Sequence, residues 1–208
     1  MASPRPLKKV KATLASEVCA RFELRDEARP LLTPEATPRG FLETLELRGQ
    51  YASALTFLAH ALPSREAIWW GCLCLRQAAG ELLPEKEAPA MKAVAEWVLE
   101  PTEDRRGAAA AIAEQQGVGT PAASLATAVA WTGGSLGPSD PKVPRVPPGP
   151  WLPAKAVSGA VLLASARAAP VSIAGLLQGF VQLGLDVAEG RVCWPDVKPK
   201  PLRRTWGR

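Results

Sequence analysis

The single histidine of the chain, His60, lies close in sequence to Arg65, Glu66 and two tryptophans, Trp69 and Trp70. An imidazole near a carboxylate and a guanidinium is a combination that can bind a small ligand or transfer protons. However, a lone histidine lacks the further ligands that a metal requires, and no activated nucleophile is evident beside it. We therefore interpret these five residues, here called the elbow cluster, as structural. The alternative is a small-ligand-binding protein or enzyme that uses a pocket at His60, Arg65, Glu66 and Trp69.

The elbow cluster lies where two predicted helices meet. Between residues 50 and 62, apolar residues recur at steps of three and four, which predicts a helix over this segment. Pro63 lacks a backbone donor and Ser64 is a common N-cap residue, so a second helix is expected at 65–79. Residues 68–75 of that helix are apolar all round, which is typical of a buried helix. We predict that the two helices pack antiparallel as a hairpin at the centre of the fold.

Proline, glycine and capping residues divide the rest of the chain into further short helices. Thr37, Thr102 and Thr120 are predicted helix starts, and no sustained strand alternation is present. The sequence thus predicts an all-α, irregular or orthogonal bundle of about eight helices. The predicted organisation is a basic N-terminal arm with a short helix (1–36), a helical core with the central hairpin (37–132), a Pro/Gly-rich strap (133–153), a final helical pair packed on the core (154–190) and a basic Pro/Trp tail (191–208).

Sequence motifs for common catalytic and cofactor sites are absent. There is no nucleophile elbow, zinc-protease motif, phosphate-binding loop or dinucleotide fingerprint. Cys72 and Cys74 would point about 200° apart on a helix, so they cannot share one metal. We therefore expect no enzymatic activity, no metal and no cofactor.

The sequence also favours a cytoplasmic protein with reduced cysteines. Glu17 and Arg21 interrupt the segment after the basic start, which argues against an export signal. Gln178, Gln182 and Asp186 interrupt the last apolar segment, where Gly175 and Gly179 suggest close helix packing. A membrane span is therefore not expected.

Positive charge is concentrated at the two ends of the chain. The net charge is +5, and residues 1–11 and 189–208 each carry about +4, which leaves the body slightly acidic. Only one run in the tail combines bases with an aromatic residue, so nucleic-acid binding is not expected. A protein partner is the favoured interpretation, and the candidate partner-binding residues are Trp151, Trp194, Arg203, Arg204 and Trp206.

Three stretches resemble an uncharacterised bacterial family over roughly residues 40–190. The first is FLAHALPSREAIWWGCLCLR at 57–76, which contains the pattern HALPxxExxWW. The second is TPAASLATAVAWTGGSL at 120–136, and the third is the strap before the final helical pair. Members of that family are often encoded beside type VI secretion genes, where small accessory proteins load effectors or adapt them to the spike. The resemblance implies an adaptor or chaperone-like accessory whose partner is a secretion effector or spike component. It implies no catalytic residue.

Overall fold

A computed structural model describes residues 6–80, 83–117, 119–137, 142, 144–167 and 173–194. Within these ranges the chain forms helices and no strands, which confirms the predicted all-α class. The helices are α1 (Ala15–Cys19), α2 (Pro38–Leu47), α3 (Tyr51–Ala61), α4 (Ser64–Ala79), α5 (Ala88–Leu99), α6 (Glu103–Gln116), α7 (Pro121–Ala130), α8 (Leu152–Ser165) and α9 (Ile173–Glu189), with short 3-10 turns at Arg29–Leu31 and Glu85–Glu87.

Local capping chemistry determines several helix starts. The hydroxyls of Thr37, Thr102 and Thr120 each accept a hydrogen bond from the backbone N–H three residues later, as predicted. The prediction that Ser64 caps α4 is wrong. Pro63 occupies the cap position, and its carbonyl accepts the N–H of the fourth residue along at 2.9 Å. A proline costs little there because the N-cap residue needs no intrahelical N–H bond.

The two helices that meet at the elbow diverge from each other. Leu62 and Pro63 are both extended, with ψ of 147° and 152°, so the chain changes direction before α4 begins. Helices α3 and α4 contact each other little, whereas α8 and α9 pack against both of them. The predicted antiparallel hairpin of α3 and α4 is therefore wrong. Helix α4 is instead surrounded by α5, α7, α8 and α9.

Close contact between α9 and the core depends on a tryptophan and a glycine. Trp70 is fully buried, and its indole N–H donates to the carbonyl of Phe180 at 2.9 Å. A Cβ atom at Gly184 would lie 2.7 Å from Leu58 Cδ1 and 3.1 Å from Trp70 Nε1. The absence of a side chain at this position lets α9 lie against α3 and α4 at once. By contrast, a Cβ at Gly175 would have no atom of another residue within 4 Å.

The N-terminal arm and the end of α9 are joined to each other. The backbone N–H of Lys9 donates to the carbonyl of Ala188 at 2.8 Å. Arg39, in the first turn of α2, forms an ion pair with Glu189, the last residue of α9. None of the helices in the described part of the chain is both long and apolar enough to cross a membrane.

Candidate functional site

His60 is held in a buried, neutral state. Only 3% of the surface of this residue is exposed, and the centre of its ring lies 4.7 Å from the centre of the Phe22 ring. Nδ1 donates to the carbonyl of Thr56 at 2.9 Å, one turn earlier in α3. Burial lowers the pKa of His60, and the neighbouring guanidinium of Arg21 lowers it further. Nε2 is therefore an unprotonated hydrogen-bond acceptor at neutral pH.

The charged members of the elbow cluster turn away from His60. Arg65 donates from Nε to the carbonyl of Val98 at 2.8 Å, and its Nη2 reaches the next carbonyl along. These are the free carbonyls at the end of α5, so Arg65 supplies a cationic cap to that helix. Glu66 instead accepts a hydrogen bond from Lys9 Nζ at 3.2 Å. The structure thus places Arg65 and Glu66 in contacts between parts of the fold, and neither lines the cleft beside His60.

The two adjacent tryptophans face different surroundings. Trp70 points to α9, as described above, whereas the indole nitrogen of Trp69 is buried without a hydrogen-bond partner. Neither residue lines the cleft beside His60.

The first tryptophan of the tail rests on the body of the protein. The guanidinium of Arg65 lies 4.0 Å from the ring centre of Trp194, and the ammonium of Lys9 lies 5.9 Å from it. Both distances are within the range of cation–π attraction. The tail is therefore attached to the fold as far as this residue. The other predicted tail residues, Arg203, Arg204 and Trp206, lie outside the described residues.

Trp151 connects the strap to the N-terminal arm while remaining accessible. The guanidinium of Arg21 lies 4.6 Å from the centre of its ring, yet 43% of the residue surface is exposed. The same guanidinium donates from Nη1 to the carbonyl of His60 at 2.8 Å. Arg21 thus joins the end of the strap to the end of α3.

Hydrogen bonds join two described positions of the strap, Leu136 and Val146, which are here called the base of the strap. The N–H of Leu136 donates to the carbonyl of Val146 at 2.7 Å, and Ser135 Oγ accepts the N–H of Val146 at 3.0 Å. Leu136 and Val146 nevertheless remain 47% and 51% exposed. At the start of the strap, Gly134 has a φ of +77°, and a Cβ there would lie 2.7 Å from the guanidinium of Arg106. Hydrogen bonding and packing therefore fix the base of the strap.

A cleft of about 510 Å³ opens beside His60. Its apolar wall comes from Phe22 and from the end of the strap, where Pro150 and Trp151 lie. Its polar lining consists of Arg21, Glu23, Thr56, His60, Lys155 and Ser158. A smaller cleft of about 240 Å³ adjoins it and is lined in part by Lys9 and Lys11. His60 is the member of the elbow cluster that borders the larger cleft.

Sequence reasoning missed the cleft because its walls come from three distant segments. Arg21 follows α1, His60 belongs to α3, and Lys155 and Ser158 belong to α8. No local pattern in the sequence brings these segments together. The one available signal was His60, a histidine within an apolar helix face.

The four cysteines are free thiols, and Cys72 and Cys74 are buried. Burial raises the pKa of Cys72 to about 12 and raises that of Cys74 as well. Across the described residues, no three His, Cys, Asp or Glu side chains lie close enough together to hold a metal ion.

Comparison with known proteins identifies a family without assigning an activity. No curated protein and no solved structure matches the chain significantly. Residues 41–188 match the family of unknown function DUF6931. This range runs from α2 to the end of α9, so Arg21 and Trp194 lie outside it. Because the match covers well over half of the chain, the protein belongs to the family of unknown function DUF6931.

Proposed function

We propose that this protein is a non-enzymatic adaptor or chaperone-like accessory that acts in the cytoplasm by binding another protein. The observation that carries the proposal is the strap, where Leu136 and Val146 are exposed at hydrogen-bonded positions and Trp151, near its end, is exposed as well. Exposed apolar residues on a preformed segment bind a partner with a smaller loss of conformational entropy than a flexible segment does. Arg65 and Glu66 of the elbow cluster support the non-enzymatic part of the proposal, because their side chains are used in contacts that stabilise the fold.

The resemblance noted in the sequence suggests where such an accessory acts. It associates the protein with type VI secretion, so a secretion effector or a spike component is the proposed partner. The basic tail beyond Trp194 would add electrostatic attraction to an acidic surface of that partner.

Affinity purification from the native host with quantitative mass spectrometry tests the proposal. The test variant carries Leu136→Ser and Val146→Ser, which removes apolar surface without disturbing the backbone bonds of the loop. We expect a stoichiometric partner with the original protein and at least about tenfold less of it with the double variant. Leu163→Ser is the matched control, because Leu163 is 46% exposed on α8 and lies outside the strap.

A protein shortened after Trp194 separates the strap from the tail. Loss of the partner with the shortened protein and retention with the double variant would assign the contact to the tail. Equal recovery with the original, the double variant and the shortened protein would refute the proposed interface.

The second candidate function is small-ligand binding near His60. The specific observation in its favour is the cleft of about 510 Å³, which lies within the size range of small-molecule sites. Its polar groups differ from those predicted from the elbow cluster, since Arg21, Lys155 and Ser158 accompany His60.

A further inference from the structure

The floor of the cleft beside His60 offers hydrogen-bond acceptors. Thr56 Oγ1 donates to the carbonyl of Ala52 at 3.0 Å, which uses its single proton. In the 3.1 Å contact between Thr56 Oγ1 and Ser158 Oγ, Ser158 must therefore be the donor. The lone pairs of Ser158 Oγ then remain available, as does the unprotonated Nε2 of His60. A ligand that satisfies this floor must bring a donor, such as a hydroxyl group.

The sides of the cleft are predominantly cationic. Arg21 uses Nη1 for the carbonyl of His60 and lies over the ring of Trp151, but its Nε and Nη2 form no hydrogen bond with a described residue. Lys155 is exposed and forms no ion pair with another described residue. Glu23 is the one carboxylate among the described lining residues, so the local charge is positive. A ligand that neutralises this charge must carry an anionic group.

Two pairs of a cation and an acceptor line the cleft. Lys155 and Ser158 are three residues apart on α8 and so lie on one face of that helix. Arg21, in turn, is bonded to the backbone carbonyl of His60, the residue that carries the second acceptor. A ligand whose anionic group and hydrogen-bond donor are separated by only a few bonds can therefore contact both members of a pair. Phe22 and Trp151 supply apolar surface for the remainder of the ligand.

From this arrangement we propose that the cleft binds a small organic acid with a hydroxyl group next to its carboxylate and an apolar body. Arg21 and Lys155 bind the carboxylate, and the hydroxyl donates to Ser158 Oγ or His60 Nε2. This site is separate from the exposed base of the strap, and it requires no protein partner.

Titration of the purified full-length protein with matched probes, followed by NMR, tests this assignment. The probe is 3-phenyllactate, 3-phenylpropionate lacks its hydroxyl, and 3-phenylpropane-1,2-diol lacks its carboxylate. A ligand of this size is expected to bind with a dissociation constant of about 1 mM. We expect roughly fivefold weaker binding without the hydroxyl and at least about tenfold weaker binding without the carboxylate. The indole N–H signal of Trp151, assigned with a Trp151→Phe variant, reports binding at the cleft.

Two single substitutions separate the contribution of the carboxylate from that of the hydroxyl. Lys155→Gln is expected to weaken 3-phenyllactate several-fold and to leave the diol unchanged. Ser158→Ala is expected to reduce the preference for 3-phenyllactate over 3-phenylpropionate. Lys86→Gln is the matched control, because Lys86 is also exposed, forms no described ion pair and does not line the cleft.

Three results would overturn the proposal. The first is that 3-phenyllactate binds no more tightly than either analogue. The second is that the Lys155→Gln and Lys86→Gln variants bind 3-phenyllactate equally well. The third is tighter binding of N-acetylphenylalanine, which would assign the cleft to the carboxyl terminus of a peptide. All of these measurements use purified protein, so they are independent of the search for a protein partner.

Discussion

Three glycines of α9 provide a graded test of how this helix packs on the core. Gly175 is exposed, with no atom of another residue within 4 Å of an added Cβ. At Gly179 an added Cβ would lie 2.5 Å from the amide of Gln77, which is the end of a flexible side chain. At Gly184 it would lie 2.7 Å from Leu58 Cδ1, and both Leu58 and the adjacent Trp70 are fully buried. Alanine at these positions adds the same methyl group to three different environments.

The expected changes in the free energy of unfolding follow from two opposing effects. Replacing a helical glycine by alanine gains up to about 1 kcal/mol from helix propensity. Overpacking a core costs about 1–3 kcal/mol, because side chains or backbone must shift. Gly175→Ala should therefore stabilise the protein, and Gly179→Ala should have little effect because Gln77 can move. Gly184→Ala should be the least stable of the three, about 1–3 kcal/mol below Gly175→Ala, because the hydrogen bond to Phe180 fixes the indole of Trp70.

Urea unfolding followed by far-ultraviolet circular dichroism measures these differences without depending on the fluorescence of Trp70. The m-value serves as an internal control, since an unchanged slope shows that the folded and unfolded states retain their compactness. A Gly184→Ala protein as stable as the Gly175→Ala protein would show that α9 does not lie against Leu58 and Trp70 as described.

Three further predictions concern titratable groups. Because burial lowers the pKa of His60 below its ordinary value of 6.5, the unfolded chain takes up the proton first as the pH falls. The free energy of unfolding should therefore decrease below about pH 7, by at most about 1.4 kcal/mol per pH unit, and His60→Gln should flatten this dependence in urea titrations. Cys193 should react with a thiol reagent in the native protein, whereas the buried Cys72 and Cys74, whose thiol pKa values are raised, should react only after unfolding. Glu46→Gln should stabilise the protein by about 0.5 kcal/mol in the same urea assay, since the carboxylate lies in the last turn of α2, where burial and Glu43 raise its pKa.

Local chemistry made most helix positions predictable from the sequence. The threonine caps at Thr37, Thr102 and Thr120 act within three residues, so their effect is visible in the sequence. The relative direction of α3 and α4 was not predictable, because two extended residues at the elbow determine it. Small-residue spacing indicated Gly175 and Gly179 as packing positions, but spacing alone does not reveal which face of a helix is covered.

The candidate site was less predictable than the fold. His60 drew attention as the only histidine, yet its actual neighbours Arg21 and Ser158 come from segments far away in the sequence. Arg65 and Glu66 are close to it in sequence and have their partners elsewhere. Proximity along the chain therefore misled the assignment of the site, because the extended residues Leu62 and Pro63 change the direction of the chain between His60 and Arg65.

The ion pair between Arg39 and Glu189 has a consequence for how this fold is combined with other sequences. These residues stand just outside the two limits of the family match, so the chain enters and leaves the helical unit at one place. The bond from Lys9 to Ala188 lies at the same end. A unit with adjacent entry and exit points can be inserted into a loop of a host protein, or carry added segments at both ends, with little strain on its helices.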